Sequence, residues 1–116
     1  MHAFDVLGDP VRRRILELLA ESDRDLQAGA IAAVITDEFG ISQPAVSQHL
    51  KVLRESGFVS VRPDGQRRLH RIHSAGFREV DRWLERYRGL WTSRLDALDT
   101  ELRRGRRQQT KREDDQ

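Results

Sequence analysis

A break between two amphipathic segments constrains the fold of this chain more than any other feature. The segment from about Ala28 to Phe39 carries apolar residues at helical spacing, and Gly40 then supplies the left-handed cap with which many helices end. Ser42 is a suitable N-cap for the next helix, and Pro44 falls in its first turn, where a missing N–H costs little. A helix, a tight glycine-containing turn and a capped helix together predict a helix-turn-helix.

The second of these helices has one apolar side and one polar side. Its apolar stripe consists of three residues at spacings of four and three: Val46, Leu50 and Leu53. An earlier amphipathic helix is predicted to begin at Pro10, with Asp9 as its N-cap, and to end at the polar run that starts at Ser22. The polar side of the second helix is therefore expected to face away from a core built by all three helices.

Two short alternating segments follow the helix-turn-helix. Residues 58–62 and 67–73 alternate between apolar and polar side chains, as strands do. Between them, Pro63-Asp64-Gly65 has the residues of a tight turn. The sequence therefore predicts a β-hairpin, which in this position is a wing.

From Ser74 onward the chain has the pattern of one long helix, with apolar residues three and four positions apart. These residues are Phe77, Val80, Leu84, Tyr87, Trp91, Leu95, Leu98 and Leu102. Residues 103–116 lack them and hold six basic and three acidic side chains, so we expect a charged, disordered tail. The predicted fold is mainly α with a small β-hairpin, in one domain of residues 1–102.

Composition excludes several classes of protein. The chain has no cysteine, which rules out disulfides and thiolate metal sites. No apolar run approaches the ~18 residues that a membrane span requires, and the first residues lack the layout of a signal peptide. These features predict a cytoplasmic protein without a membrane-spanning segment.

Residues 9–16 (DPVRRRIL) and 41–53 (ISQPAVSQHLKVL), followed by Gly57-Phe58-Val59 and an arginine-rich hairpin, resemble the ArsR family of winged-helix repressors. The resemblance covers about residues 3–102. Trp83, Tyr87 and Trp91 in the long helix resemble the metal-independent, autorepressor-like branch. The resemblance implies a homodimeric repressor whose two recognition helices enter successive major grooves of a palindromic operator.

The polar side of the second helix of the helix-turn-helix, together with the wing, supplies the candidate DNA contacts. Glutamine can pair with adenine, serine can donate or accept, and alanine can touch a thymine methyl group, whereas arginine suits phosphates and narrow minor grooves. The candidates are Ser42, Gln43, Ala45, Ser47, Gln48 and Lys51 in the helix, with Arg62, Arg67 and Arg68 in the wing. The alternative is an ordinary solvated helix face and a hairpin whose charges protect an edge strand.

The long helix supplies the candidate dimer interface, because its aromatic stripe is more typical of a core and a subunit contact than of a ligand site. The interface residues are predicted to be Phe4, Tyr87, Trp91, Leu95 and Leu98. No paired metal ligands are present on this helix, and no sequence motif of an enzyme is found, so we expect neither a cofactor nor catalysis. Two other functions stay open: a protein-interaction module, and a regulator that senses a small-molecule effector of unknown identity.

Overall fold

The computed structural model describes the backbone of residues 1–114 and the side chains of residues 1–107. Over this range the chain is mainly helical with a small antiparallel sheet, as predicted. Its contacts group it into one unit, Met1–Asp81, and a second unit that begins at Arg82. The elements, in chain order, are α1 (Ala3–Leu7), α2 (Pro10–Glu21), β1 (Leu26–Gln27), α3 (Ala28–Phe39), α4 (Gln43–Glu55), β2 (Val59–Asp64), β3 (Arg67–Ile72) and α5 (Ser74–Asp114).

The helix ends follow the local chemistry of the sequence. The Asp9 carboxylate caps α2 by accepting from the backbone N–H of Val11 at 2.8 Å. Ser42 caps α4 in the same way, with its Oγ 3.3 Å from the Ala45 nitrogen. Gly40 ends α3 at φ +66°, in the left-handed region that favours glycine. The predicted helix-turn-helix is therefore confirmed, including the bounds of α3.

Helices α2, α3 and α4 enclose one apolar core. Each contributes buried residues from the stripe that its spacing predicts, although Phe39 at the end of the α3 stripe is 38% exposed. The start of β2 completes the core. The largest fully buried side chains are Phe58, Ile15, Ile31, Ile35, Leu53, Val6, Val46 and Val59.

The sheet differs from the predicted hairpin in two respects. Strand β1 was not predicted, and it pairs antiparallel with β3 to give the order β1-β3-β2. Pro63 and Asp64 were assigned to the turn, but they lie in β2, opposite Arg68 and Arg67. Proline is tolerated here because β2 is an edge strand, where its missing N–H breaks no ladder. The turn itself begins at Gly65, whose φ is +64°.

Helix α5 is longer than the apolar stripe that predicts it. The sequence led us to expect disorder from residue 103, whereas the helix extends to Asp114. The segment after Leu102 lacks apolar side chains, but a helix does not need them in order to form. Arg103 is also paired with Asp99 at 3.0 Å, one turn earlier. The division into a domain and a separate tail stays a prediction. None of the described helices is both long and apolar enough to cross a membrane.

The link between α4 and the wing is unusually close-packed. Gly57 has a φ of +78°, and Phe58 is fully buried with its ring edge-on to Phe77 at a centroid distance of 5.0 Å. A Cβ added at Gly76 would lie 2.7 Å from the Phe58 ring. Glycine at position 76 therefore allows the start of α5 to pass over this ring.

Buried His70 joins β3 to β1. Its Nδ1 lies 3.1 Å from the carbonyl oxygen of Leu26. Burial lowers the pKa of His70, and although the Leu26 carbonyl favours the charged form, the positive charge of Arg54 adds to the lowering. The imidazole is therefore neutral in the folded chain at neutral pH.

Substitution of Gly76 by alanine is expected to destabilise the fold by about 1–3 kcal/mol, because the added Cβ would lie 2.7 Å from the ring of the fully buried Phe58. Urea unfolding followed by circular dichroism measures the effect. Gly29→Ala is the matched control, since a Cβ there meets nothing within 4 Å. Equal stability of the two variants would contradict the close packing described above.

The lowered pKa of His70 predicts a pH dependence of stability. As pH falls through the ordinary histidine value of 6.5, the unfolded chain takes up a proton that the folded chain does not, so stability decreases. His70→Gln should remove part of the stability loss between about pH 7.5 and pH 5.5. Urea unfolding at both pH values tests this, with the exposed His73→Gln as control. Identical losses in both variants would exclude His70 as the source.

Candidate nucleic-acid interface

Helix α4 separates its residues into a buried side and an exposed side. The buried side is the predicted stripe of Val46, Leu50 and Leu53. On the other side, an open surface groove runs along the helix. It is lined by Gln43, Pro44, Ser47, Gln48 and Lys51. Four of the predicted contact residues are thus brought together in one row, with amide, hydroxyl and ammonium groups facing solvent.

The remaining two predicted contacts of α4 lie at its start. Ser42 is exposed, and because its Oγ accepts the capping hydrogen bond from Ala45, its own hydroxyl hydrogen stays available to an acceptor. Ala45 is half-buried, so only part of its methyl group is accessible. The positive end of the helix dipole also lies here, which favours an anion beside Ser42.

A bidentate ion pair connects α2 to α3, the helix that leads into the turn. Arg14 of α2 donates from Nε and Nη2 to the two carboxylate oxygens of Glu38 in α3, at 2.9 and 3.1 Å. This hydrogen-bonded pair lowers the pKa of Glu38 and raises the pKa of Arg14. Arg12 and Arg13 donate instead to backbone carbonyls of residues 5–7. The three consecutive arginines therefore hold neighbouring elements together.

The wing arginines do not share one environment, and sequence reasoning missed the pairing of Arg62 with Asp25. Arg62 donates from Nε to the Asp25 carboxylate at 3.0 Å, and Arg67 donates to Asp64 at 2.9 Å. Arg68 lies on the other face of β3, beside Val61 and Pro63. No ion pair of Arg68 is found among the described residues. The Asp64 partner is three residues from Arg67 and could have been found from spacing, whereas Asp25 could not.

In α5, the residues predicted to form the dimer interface are exposed. From residue 81 to residue 107 every side chain is exposed, including Trp91 at 64% and Leu95 at 58%. Tyr87 and Leu98 belong to the same row, and the Tyr87 ring lies 4.6 Å from that of Trp83. Phe4 is also partly exposed on α1, where it stacks on His2.

A metal centre was not expected, and the described side chains offer no group of three or more histidines and carboxylates that could hold an ion. Chemically, the described surface presents hydrogen-bonding groups on α4 and guanidinium groups on the wing. Such groups recognise a polar, anionic partner.

Comparison with known proteins identifies the family. Residues 9–61 match the family described as bacterial regulatory protein, arsR family. The chain is 38% identical to the HTH-type transcriptional regulator Rv2034 of Mycobacterium tuberculosis over 93 residues. This matched region covers 80% of this chain and 78% of the relative. It is 31% identical over 83 residues to the transcriptional repressor SdpR of Bacillus subtilis, which covers 72% and 86%.

Solved structures agree with this assignment. The ArsR-like transcriptional regulator from Rhodococcus sp. RHA1 matches with a TM-score of 0.60 and 29% identity, over 82% of this chain and 84% of that chain. The homodimeric winged helix-turn-helix DNA-binding domain of Mb0332 from Mycobacterium bovis matches with a TM-score of 0.53 and 29% identity, over 68% and 66%. On this evidence the chain belongs to the arsR family of bacterial regulatory proteins and is a winged helix-turn-helix transcriptional regulator.

Proposed function

We propose that this chain is a cytoplasmic, homodimeric repressor that binds a palindromic DNA operator and catalyses no reaction. The observation that carries the proposal is the row of exposed polar side chains on α4, a helix whose opposite side is buried in the core. An α-helix fits the major groove of B-DNA, where each base pair presents a distinct pattern of donors and acceptors. Helix α4 is the recognition helix in this proposal.

The side chains of α4 divide into two roles. Gln43 and Gln48 read bases, because an amide offers a donor and an acceptor that together match adenine. Ser47 and the partly accessible Ala45 methyl add a hydroxyl and an apolar contact to base edges. Ser42 and Lys51 hold phosphates, which fixes the register of the helix in the groove.

The wing holds the DNA backbone or the minor groove. Arg68 is the leading contact, since it has no carboxylate partner among the described ion pairs. Arg62 and Arg67 are each already paired with a carboxylate, Asp25 and Asp64, and these carboxylates compete with a phosphate for them.

The second copy covers the exposed stripe of α5. Trp91, Leu95 and Leu98 are each more than half exposed in the single chain, which is unfavourable in water for so continuous an apolar row. The related domain of Mb0332 is homodimeric. Phe4 and Tyr87 are also proposed as contacts of the second copy.

Selection of duplexes from a random-sequence pool tests the function as a whole. The purified chain should enrich an inverted repeat whose half-sites are about one helical turn apart, because a two-fold dimer presents two equivalent helices. A pool that shows no enrichment after repeated rounds would refute sequence-specific binding and would favour a protein-interaction module.

Base contacts and phosphate contacts should respond differently to substitution. Gln48→Ala should weaken binding to the selected operator by roughly 1–3 kcal/mol and hardly change binding to mixed-sequence DNA. Arg68→Ala should weaken both, and the slope of log affinity against log salt should become shallower by about 1. Fluorescence anisotropy titrations at several salt concentrations measure both quantities. If Gln48→Ala weakened both DNAs equally, or Arg68→Ala changed nothing, the assigned roles would be wrong.

Substitution of Leu95 by glutamate should dissociate the dimer, because it places an unpaired charge in an apolar interface. Sedimentation at micromolar concentration should give twice the chain mass for the unsubstituted protein and a shift towards the single chain mass for the variant. Ser93→Glu adds the same charge two residues earlier, on the opposite side of the helix, and should leave the mass unchanged. Leu98→Glu repeats the test one turn along, and a monomeric unsubstituted protein would refute the proposed assembly.

A further inference from the structure

One carboxylate lies between two arginines of the wing. Asp25 Oδ2 is 3.0 Å from Nε of Arg62 and 3.6 Å from Nε of Arg71. The Asp25 side chain is only 21% exposed, whereas those of Arg62 and Arg71 are 52% and 56% exposed. A well-covered acid thus anchors two guanidinium groups that remain largely in solvent.

The sheet register explains why these three side chains meet. Leu26 of β1 pairs with His70 of β3, so the preceding Asp25 lies beside Arg71. Arg62 of β2 is paired with Leu69, on the same face of the sheet as Arg71, because Leu69 and Arg71 are two residues apart in β3. Strand β1 was not part of the predicted hairpin, but its pairing with β3 places the Asp25 carboxylate beside the two arginines.

The geometry points to Asp25 as an internal counterion that withholds Arg62 and Arg71 from DNA phosphates and so limits the affinity of the wing for DNA of any sequence. This inference rests on the proposed DNA-binding function. Contacts to phosphates carry no sequence information and stabilise complexes with all DNA alike. With fewer of them, a larger share of the binding free energy comes from the base contacts of α4.

The counterion reduces the affinity without abolishing it. Ion pairs between exposed side chains are weak, so a phosphate can compete for either arginine. Removing the charge of Asp25 should increase the affinity for mixed-sequence DNA by about two- to fivefold near 0.1 M salt. It should also steepen the slope of log affinity against log salt by about 1 to 2, since each added phosphate contact contributes about 0.9.

Asp25→Asn is the primary test, because the amide keeps the shape of the side chain and an oxygen that accepts from Arg62. The probe is a mixed-sequence duplex of about 20 base pairs, titrated by anisotropy at several potassium chloride concentrations, with the selected operator in parallel. Asp23→Asn is the matched control: it changes the net charge equally, at an exposed position two residues away. We expect the steeper slope in Asp25→Asn alone, and the added substitution Arg62→Gln should remove about half of the increase.

Arg62→Gln and Arg68→Gln in the otherwise unsubstituted chain give a second readout that keeps Asp25 in place. If Asp25 withholds Arg62, Arg62→Gln changes the salt slope little, whereas Arg68→Gln makes it shallower. Weaker binding by Asp25→Asn, behaviour equal to Asp23→Asn, or equal slopes for the two arginine variants would each overturn the counterion role. An unsubstituted chain that binds neither duplex would instead refute the proposed function and this inference with it.

Discussion

The position of the wing relative to α4 depends on Phe58. Its backbone N–H donates to the carbonyl of Leu53 at the end of α4, and its carbonyl accepts from His73 just before α5. Its ring fills the space that Gly76 leaves open and meets the edge of Phe77. Three elements are therefore joined through one fully buried residue. A shift of this ring would therefore move the hairpin and α4 relative to each other.

Where structure is decided by neighbouring residues, the sequence was enough to predict it. Asp9, Gly40 and Ser42 mark helix ends by their own hydrogen bonds or backbone angle, so α2, α3 and α4 could be located closely. The exposed row of α4 followed in turn, because a helix that buries Val46, Leu50 and Leu53 must expose the opposite side. Strand β1 could not be found in this way, since two residues are too few to show alternation.

The wing illustrates why a candidate site is harder to predict than a fold. Arg67 and Arg68 are adjacent and identical in type, but they project to opposite faces of β3, and among the described residues only Arg67 of the two has a carboxylate partner, the nearby Asp64. Arg62 and its partner Asp25 are 37 residues apart, so their pairing depends on the register of three strands. The order of residues shows where the positive charges lie along the chain, but only the tertiary structure shows which of them are already paired with a carboxylate.

The exposed stripe of α5 has a consequence for gene dosage. A subunit that buries this stripe only against a second copy makes operator occupancy depend on the square of subunit concentration when subunits are scarce, so halving the supply reduces the dimer about fourfold. Dilution at cell growth, or slower synthesis, would then lift repression more sharply than the loss of protein alone. The apolar row would thus give a small regulator a threshold without any ligand.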